Sequence, residues 1–515
     1  MEKITPFDIP LLNNEICQYL SLKDLTRCVQ VSKAWTDWFS PALWRDLDCH
    51  IRLPYVYVDT FARQQEHVRT MRNITMTQAG SVFAQVPCTS LQRLDFMQSE
   101  GHKDVRRSQL PVLRLLEKMP TLRHLQIVLA LDHDNTYRYW IRALEAMPHL
   151  ESLGLKCDAL VNGKVVQQVL SLCTGLKGLS LRLWGSPIFV QKKDLQEYRQ
   201  AQEMVETMSD MQLLELSLDT NLKICQENIF HPLLERCSRL EKLDLESIYY
   251  GHNEPTFQHL VKTLKENKLP RLRHLTMGGL YDDRETVLVE VLSHVACGFE
   301  SLIFRGKDGN LVVQPLIQFH SRSLARLDFH TAISFLSLLK LMTGLPCLRT
   351  ITAPEIDGKP YHSADVSLLD MQWECLDLRC LRLNLGEWRY YAATSREGWM
   401  HSVEKGVLDY LLSEVAKLTS LQELSIGSGQ LSFCMGMGYL EQLAGLKQLE
   451  ILDLTNTQDE DLGGYEAQWM AENWPRLLQV HQQHPSTSFK ETLLKKRPEV
   501  EFVKEPSYNA QVSDD

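Results

Sequence analysis

The sequence predicts an α/β solenoid with a small three-helix module ahead of it. Three observations carry that expectation. A short apolar pattern returns thirteen times between about residue 90 and residue 454. Helical periodicity fills the intervals between the returns. The first fifty residues follow a different rule, with apolar residues at helical spacing and no trace of the later pattern.

In the opening segment, Leu11, Leu12, Ile16, Tyr19 and Leu20 fall on helical spacing, and Glu15 suits the positive end of a helix. Ser21 is placed to cap a second helix, whose positions Leu25, Cys28 and Val29 form one face. A third segment from Ser32 carries Trp35, Trp38 and Phe39, and Pro41 and Leu43-Trp44 follow. Three short helices over about forty residues make a core too small to stand comfortably alone. Such a module needs a partner or a neighbouring domain over its apolar faces.

The run Glu15-Ile16, Tyr19-Leu20-Ser21-Leu22-Lys23-Asp24-Leu25, Cys28, Val31-Ser32-Lys33, Trp35, Pro41, Leu43-Trp44 resembles the F-box motif. The resemblance implies a Skp1-like linker docking on Leu12, Ile16, Leu20, Leu22, Leu25, Val31, Trp35 and Trp44, and through it a cullin. One departure stands out: F-box sequences typically carry Leu-Pro two or three residues before the Glu, whereas this chain has Leu12-Asn13-Asn14 before Glu15. The other reading of the same residues is a helical cap whose aromatic rings pack on the next domain.

The recurring pattern is apolar, two variable residues, apolar, one variable residue, apolar. It runs from Leu91-Leu94-Phe96 through Leu240-Leu243-Leu245 to Leu449-Leu452-Leu454. Most intervals between returns are 24 to 32 residues, with 37 and 43 at two places. A strand plus a returning helix cannot bury its own apolar face, so neighbours must stack into one continuous core. The pattern and period resemble the leucine-rich-repeat family. The resemblance covers residues 85–480, after an F-box at 1–50 and a linker or repeat cap at 51–84. Residues 481–515 are expected to be a C-terminal cap and a disordered acidic tail. No regular Asn or Cys follows the strands, so about 13 irregular repeats are expected. The long intervals mark insertions near 186–211 and 386–419. The first has Leu195, Met204 and Met208 spaced for a helix. The second carries Trp388, Tyr390, Tyr391 and Trp399, which suit either a binding loop or a cover for the repeat edge.

Strand alternation sends the leucines inward and their neighbours to the concave face. That face offers seven cations and eight anions, so it has no single sign. A basic stretch at Lys156 and Arg182 precedes an acidic one at Glu215, Asp219, Asp244 and Glu246, and Arg305, Arg326 and Arg382 return to positive. These nine residues are the candidate substrate-binding set, and they suit a protein segment of mixed charge. Solvated charge on any soluble repeat is the competing account.

The chain carries a formal charge of −10, which argues against a nucleic-acid surface. No apolar run of 18 residues suggests a membrane span, and the beginning has no signal-peptide block. Thirteen cysteines without a C-x-x-C pair read as small core residues of a reducing compartment, cytoplasm or nucleus. His481-Gln-Gln-His484 has no completing ligands, no phosphate loop or nucleophile elbow occurs, and no RING-type set of zinc ligands is present. The expectation is therefore a non-enzymatic chain without cofactor or metal. With both resemblances, it is a substrate-recognition adaptor of an SCF-type ubiquitin ligase that acts by proximity. The alternative is a non-degradative interaction scaffold built on the same repeats.

Overall fold

The computed structural model describes residues 10–49, 58–82, 88–97, 102–129, 134–157, 169–172, 175–183, 192–220, 229–245, 254–280, 285–306, 308–357, 371–384, 409–427, 437–454, 462–482 and 485–503. The chain forms two compact units, Met1–Leu243 with Ser247–Thr263 and Asp244–Glu246 with Leu264–Asp515.

In the first unit, three helices precede a ladder of parallel strands. The helices are α1 (Pro10–Gln18), α2 (Leu22–Cys28) and α3 (Lys33–Arg45). The strands are β1 (Asp46–Asp48), β2 (Thr70–Ile74), β3 (Arg93–Phe96), β4 (His124–Leu129), β5 (Ser152–Cys157), β6 (Gly178–Leu183) and β7 (Glu215–Thr220). Each pairs with the next in sequence order. The ladder thus begins at Asp46, before the recurring pattern is recognisable in the sequence. Strand β8 (Lys242–Leu245) follows, its leading residues Glu241 and Lys242 both donating to the Leu214 carbonyl.

The second unit repeats the arrangement. Its strands are β9 (His274–Leu280), β10 (Ser301–Gly306), β11 (Arg326–Phe329), β12 (Ala332–Ser334), β13 (Thr350–Ala353), β14 (Glu355–Asp357), β15 (Cys380–Asn384), β16 (Glu423–Gly427), β17 (Ile451–Asp453), β18 (Gln479–His481) and β19 (Glu501–Val503). The parallel ladder runs β9-β10-β11-β13-β15-β16-β17-β18-β19, and β12 pairs separately with β14. Every one of the thirteen predicted patterns lies on a strand of one ladder or on β8. Of their apolar positions only Leu150 escapes full burial. These are stacked leucine-rich repeats.

Register explains the burial. Leu94, Leu125, Leu153, Leu179 and Leu216 stand side by side on five consecutive strands, so each leucine touches the same residue of its neighbours. Fully burying one such side chain is worth about 1.5–3 kcal/mol, and the stack supplies that burial repeat after repeat. The returning helices close the other side of the core. Val112, Leu113 and Leu116 of helix His102–Leu116 are buried, as is Trp140 of helix Asp134–Glu145. Ahead of most strands of the ladders two successive N–H groups share one carbonyl of the preceding repeat. Glu151 and Ser152 both donate to Arg123 O at 2.7 and 2.9 Å, and Arg349 and Thr350 both to Ala325 O at 2.8 and 3.0 Å. Side chains at this position add an alternating charge row, with Glu151 between Arg123 at 3.2 Å and Lys177 at 2.7 Å.

The first insertion forms the helix expected from its spacing, Lys192–Thr207, and among its described side chains Ala201 and Val205 are buried. Trp388, Tyr390, Tyr391 and Trp399 of the second lie outside the described residues. Beyond them, the buried Glu414 accepts a hydrogen bond from the Trp373 N–H at 3.0 Å. Near the end of the second unit, Arg497 closes the end of a repeat. It donates to the carbonyls of Trp474, Pro475 and Leu477 at 3.0, 2.9 and 3.2 Å.

A histidine joins three successive repeat elements in the second unit. His320 is 1% exposed; its Nδ1 accepts from the Phe299 N–H at 3.1 Å and its Nε2 lies 2.9 Å from the Leu292 carbonyl, which requires the Nε2–H tautomer. Gly298 beside it has φ +74°, and a Cβ there would sit 2.4 Å from Ser323 Oγ. Only the neutral imidazole can accept from Phe299, and burial pushes the His320 pKa below its ordinary 6.5. A depressed folded pKa means stability that is complete above about pH 6.5 and is lost as pH falls through the folded value. Replacing His320 with Phe should cost about 1–3 kcal/mol at pH 7. The cost should shrink as pH falls from about 7 to about 5, because the wild type loses its advantage there. Urea unfolding of both proteins across that range checks this, and a pH-independent difference would refute it.

Candidate partner-docking surface

The three N-terminal helices are built by local polar signals. Ser21 Oγ accepts from Asp24 N–H at 3.2 Å and starts α2; Ser32 Oγ accepts from Trp35 N–H at 3.2 Å and starts α3. The Ser21 hydroxyl also donates to Asp24, holding that carboxyl below the usual carboxylate range. Two further bonds join the helices: Thr36 Oγ1 donates to Val29 O at 2.7 Å, and Asn13 Nδ2 donates to Trp38 O at 2.8 Å. The second has a direct reading in the sequence. Asn13 stands where F-box sequences typically carry Pro, and it ties α1 to α3 with a side-chain amide that proline lacks.

The core of this module is Leu25, Phe39 and Leu47, at 6%, 1% and 5% exposure, with the Trp35 ring tilted against Phe39 at 5.4 Å. Leu25, expected on the docking surface, is buried between the helices and, with Leu20 and Leu22, borders a cleft beside α1. Ile16, Leu20, Trp35 and Trp44 are half-buried. Leu12, Leu22 and Val31 are open to solvent at 46%, 46% and 63%.

Two residues outside the predicted docking set are the most open of all. Leu11 is 77% exposed and Tyr19 is 85% exposed. Tyr19, just past the end of α1, follows Leu12 and Ile16 at i, i+4 and i+7 and so continues their side of the helix. That spacing is legible in the sequence; what it does not tell is that Leu12 and Tyr19 stay uncovered while Ile16 is half-buried. The opposite side of α1, with Asn14, Cys17 and Gln18, borders a polar cleft of about 520 Å³ that Arg45 and Arg69 also line. Burial raises the Cys17 thiol pKa, with Cys28 nearby adding to the shift.

On the open face of the repeat sheets the predicted charges are largely matched in pairs. Lys156, Arg182 and Asp219 are register partners on β5, β6 and β7. Arg182 lies 2.6 Å from Asp219, which is 4% exposed. The basic and acidic stretches that look separate in sequence are therefore joined at their border. Arg326 lies 2.7 Å from the buried Asp328 of its own strand, and Arg382 pairs with Glu423 of the next. Glu215 is exposed, and Asp244 and Arg305 are half-buried. Glu246 lies outside the described residues. The floor between Lys156 and the start of β5 and β6 is small, with Ser152, Gly154, Gly178 and Ser180.

Among the described residues no group of three His, Cys, Asp or Glu side chains could hold a metal ion, and no helix is long and apolar enough to cross a membrane. The comparison with curated proteins finds no match. Among solved structures, the chain is similar to one from the yeast Rad7–Elc1 complex, at 14% identity over 97% of this chain and 92% of that one, with a TM-score of 0.40. It is similar to one from the TLR13–ssRNA13 complex at 14% identity, covering 88% of this chain and 60% of that one, TM-score 0.33. It is also similar to a leucine-rich-repeat protein of Leptospira interrogans at 14% identity, covering 94% and 99%, TM-score 0.29. The family model described as F-box-like matches residues 14–50, the span of α1 to α3 and β1. The chain thus carries an F-box-like domain at residues 14–50, followed in sequence by leucine-rich repeats.

Proposed function

We propose that the chain is a substrate-recognition adaptor of an SCF-type ubiquitin ligase. Its F-box-like domain docks a Skp1-like linker, and through it a cullin, while the repeats hold a protein substrate. The observation that carries this reading is the uncovered apolar surface of Leu11, Leu12, Tyr19, Leu22 and Val31 in a domain of about forty residues. A solvent-facing stripe of that density in so small a module has the character of a protein interface. Leu12, Ile16, Leu20, Leu22, Val31, Trp35 and Trp44 remain the docking set, extended by Leu11 and Tyr19, with Leu25 beneath them as support.

No group of this chain reacts in this reading. The adaptor raises the local concentration of a lysine-bearing substrate near another enzyme's ubiquitin. The sheet face suits a partner of mixed charge, since paired Arg and Asp side chains present both signs within a few ångströms. An ion pair already formed offers less to a partner than a separated charge, because its components must be shared or broken. Cytoplasm and nucleus are the compartments where such a ligase operates, and thirteen cysteines without a C-x-x-C pair agree with either.

Purified chain should recover a Skp1-like linker together with a cullin. Leu12→Asp combined with Tyr19→Asp should weaken linker binding at least about thirtyfold, since a central apolar hot spot is worth 2 kcal/mol or more. Circular dichroism of the variant should match wild type, because both positions are exposed. Unchanged linker affinity in a folded variant would refute the docking surface, and recovery of neither linker nor cullin would favour the scaffold reading.

Substrates should emerge as proteins that accumulate when the chain is replaced by a version lacking residues 1–50. Asp244→Lys with Glu246→Lys should reduce capture of those proteins about tenfold while linker binding holds. Equal capture would remove the acidic stretch from the substrate site.

A further inference from the structure

Helix α1 supplies much of the uncovered apolar surface, yet none of its described side chains is fully buried. Asn13, Ile16 and Cys17 are half-buried, and the rest are exposed. Apolar burial is non-directional, so two half-covered side chains leave the roll of a helix about its axis weakly fixed. The directional contact comes from Asn13. Its Nδ2 donates to the Trp38 carbonyl of α3 at 2.8 Å. Its Oδ1 accepts from the Cys17 Sγ–H at 3.4 Å, one turn along the same helix. The thiol thereby holds the oxygen of the amide along α1 and turns its NH2 group toward α3. Among the described residues this is the one side-chain hydrogen bond from α1 to another helix.

The residue type matters for the backbone as well. The chain is already helical at Pro10, so Asn13 is the fourth residue of α1. A proline is well placed at the first helical position, where no backbone donor is needed. Deeper in the helix it removes a donor, and its ring meets the carbonyl one turn earlier. With proline at position 13 the helix would open at that residue and leave Leu11 and Leu12 ahead of it. Asparagine keeps both on the helix, Leu12 one turn before Ile16 and Leu11 beside it at 77% exposure. One residue therefore both clasps α1 to α3 and keeps these two leucines helical.

We infer that Asn13 is a positioning residue for partner docking: its clasp on α3 sets the turn of α1 that offers Leu11 and Leu12 to the linker. This rests on the adaptor reading and adds which residue decides how that surface is presented. The partner it fits has an apolar groove that continues past Leu12 to receive Leu11. Proline, the usual residue of the motif, is the wrong one for this chain.

The test uses the full chain and immobilised Skp1, with affinity read by biolayer interferometry. Asn13→Pro should weaken binding about tenfold. Asn13→Ala, which suits a helix and covers the case of an unfolded proline variant, should weaken it about fivefold. Cys17→Ser keeps a donor to Oδ1 and should hold wild-type affinity, whereas Cys17→Ala should lose about twofold. Leu12→Ala completes a double-mutant cycle with Asn13→Ala. Its cost should be about tenfold in the wild-type chain and about threefold beside Asn13→Ala, because a loosened α1 no longer holds Leu12 in place. A residue that supplied stability alone would leave the Leu12 effect the same in both backgrounds. Wild-type affinity in Asn13→Pro, or additive effects in the cycle, would overturn the inference while the adaptor reading stands. A wild-type chain that captures no Skp1 removes the adaptor reading and this inference with it.

Discussion

No repeat of this chain can bury its own leucines. A strand such as Ser152–Cys157 covers Leu153 and Leu155 only because Leu125 and Ile127 lie on one side and Leu179 and Leu181 on the other. That dependence on neighbours governs the rest. It requires parallel strands in fixed register, since a slip of one residue would turn the leucines to solvent and the charges into the core. It also sets the two-donor backbone contact that precedes most strands, and places side-chain charge from adjacent repeats close enough to pair.

The F-box-like domain meets the same shortage of apolar cover at smaller scale. Its core of Leu25, Phe39 and Leu47 uses up the interior side of three helices. Leu11, Leu12, Tyr19, Leu22 and Val31 then have no remaining place inside. A forty-residue module cannot enclose all its apolar side chains, and the excess becomes the surface on which a partner can gain by burial. The same reasoning separates Leu25 from its sequence neighbours in the motif: the motif mixes residues that build the hook with residues that face outward.

The open sheet face illustrates the limit of counting charges. Seven cations against eight anions argue for no single-sign surface, but the order along the chain suggests separated patches. Register undoes the separation, because residues far apart in sequence occupy neighbouring strands. Arg182 and Asp219 are 37 positions apart in sequence and 2.6 Å apart in space. Arg114 and Arg142 belong to different repeats in the same way, and only packing of their helices reveals that they share Tyr139.

The alternation of leucines, their interval and the F-box-like run were sufficient to determine the class of fold, the thirteen core strands and the helical module, because these depend on local periodicity and a strong apolar signal. Helix Lys192–Thr207 was legible for the same reason. The strands at either end, such as β1 and β19, were not, since their short segments join the ladder only through pairing with a neighbour. Exposure was the other quantity that required tertiary structure. Leu25, Leu12 and Tyr19 have equal claims to burial by hydrophobicity; which one is covered depends on the helix packed against it, and that is a property of the assembled chain.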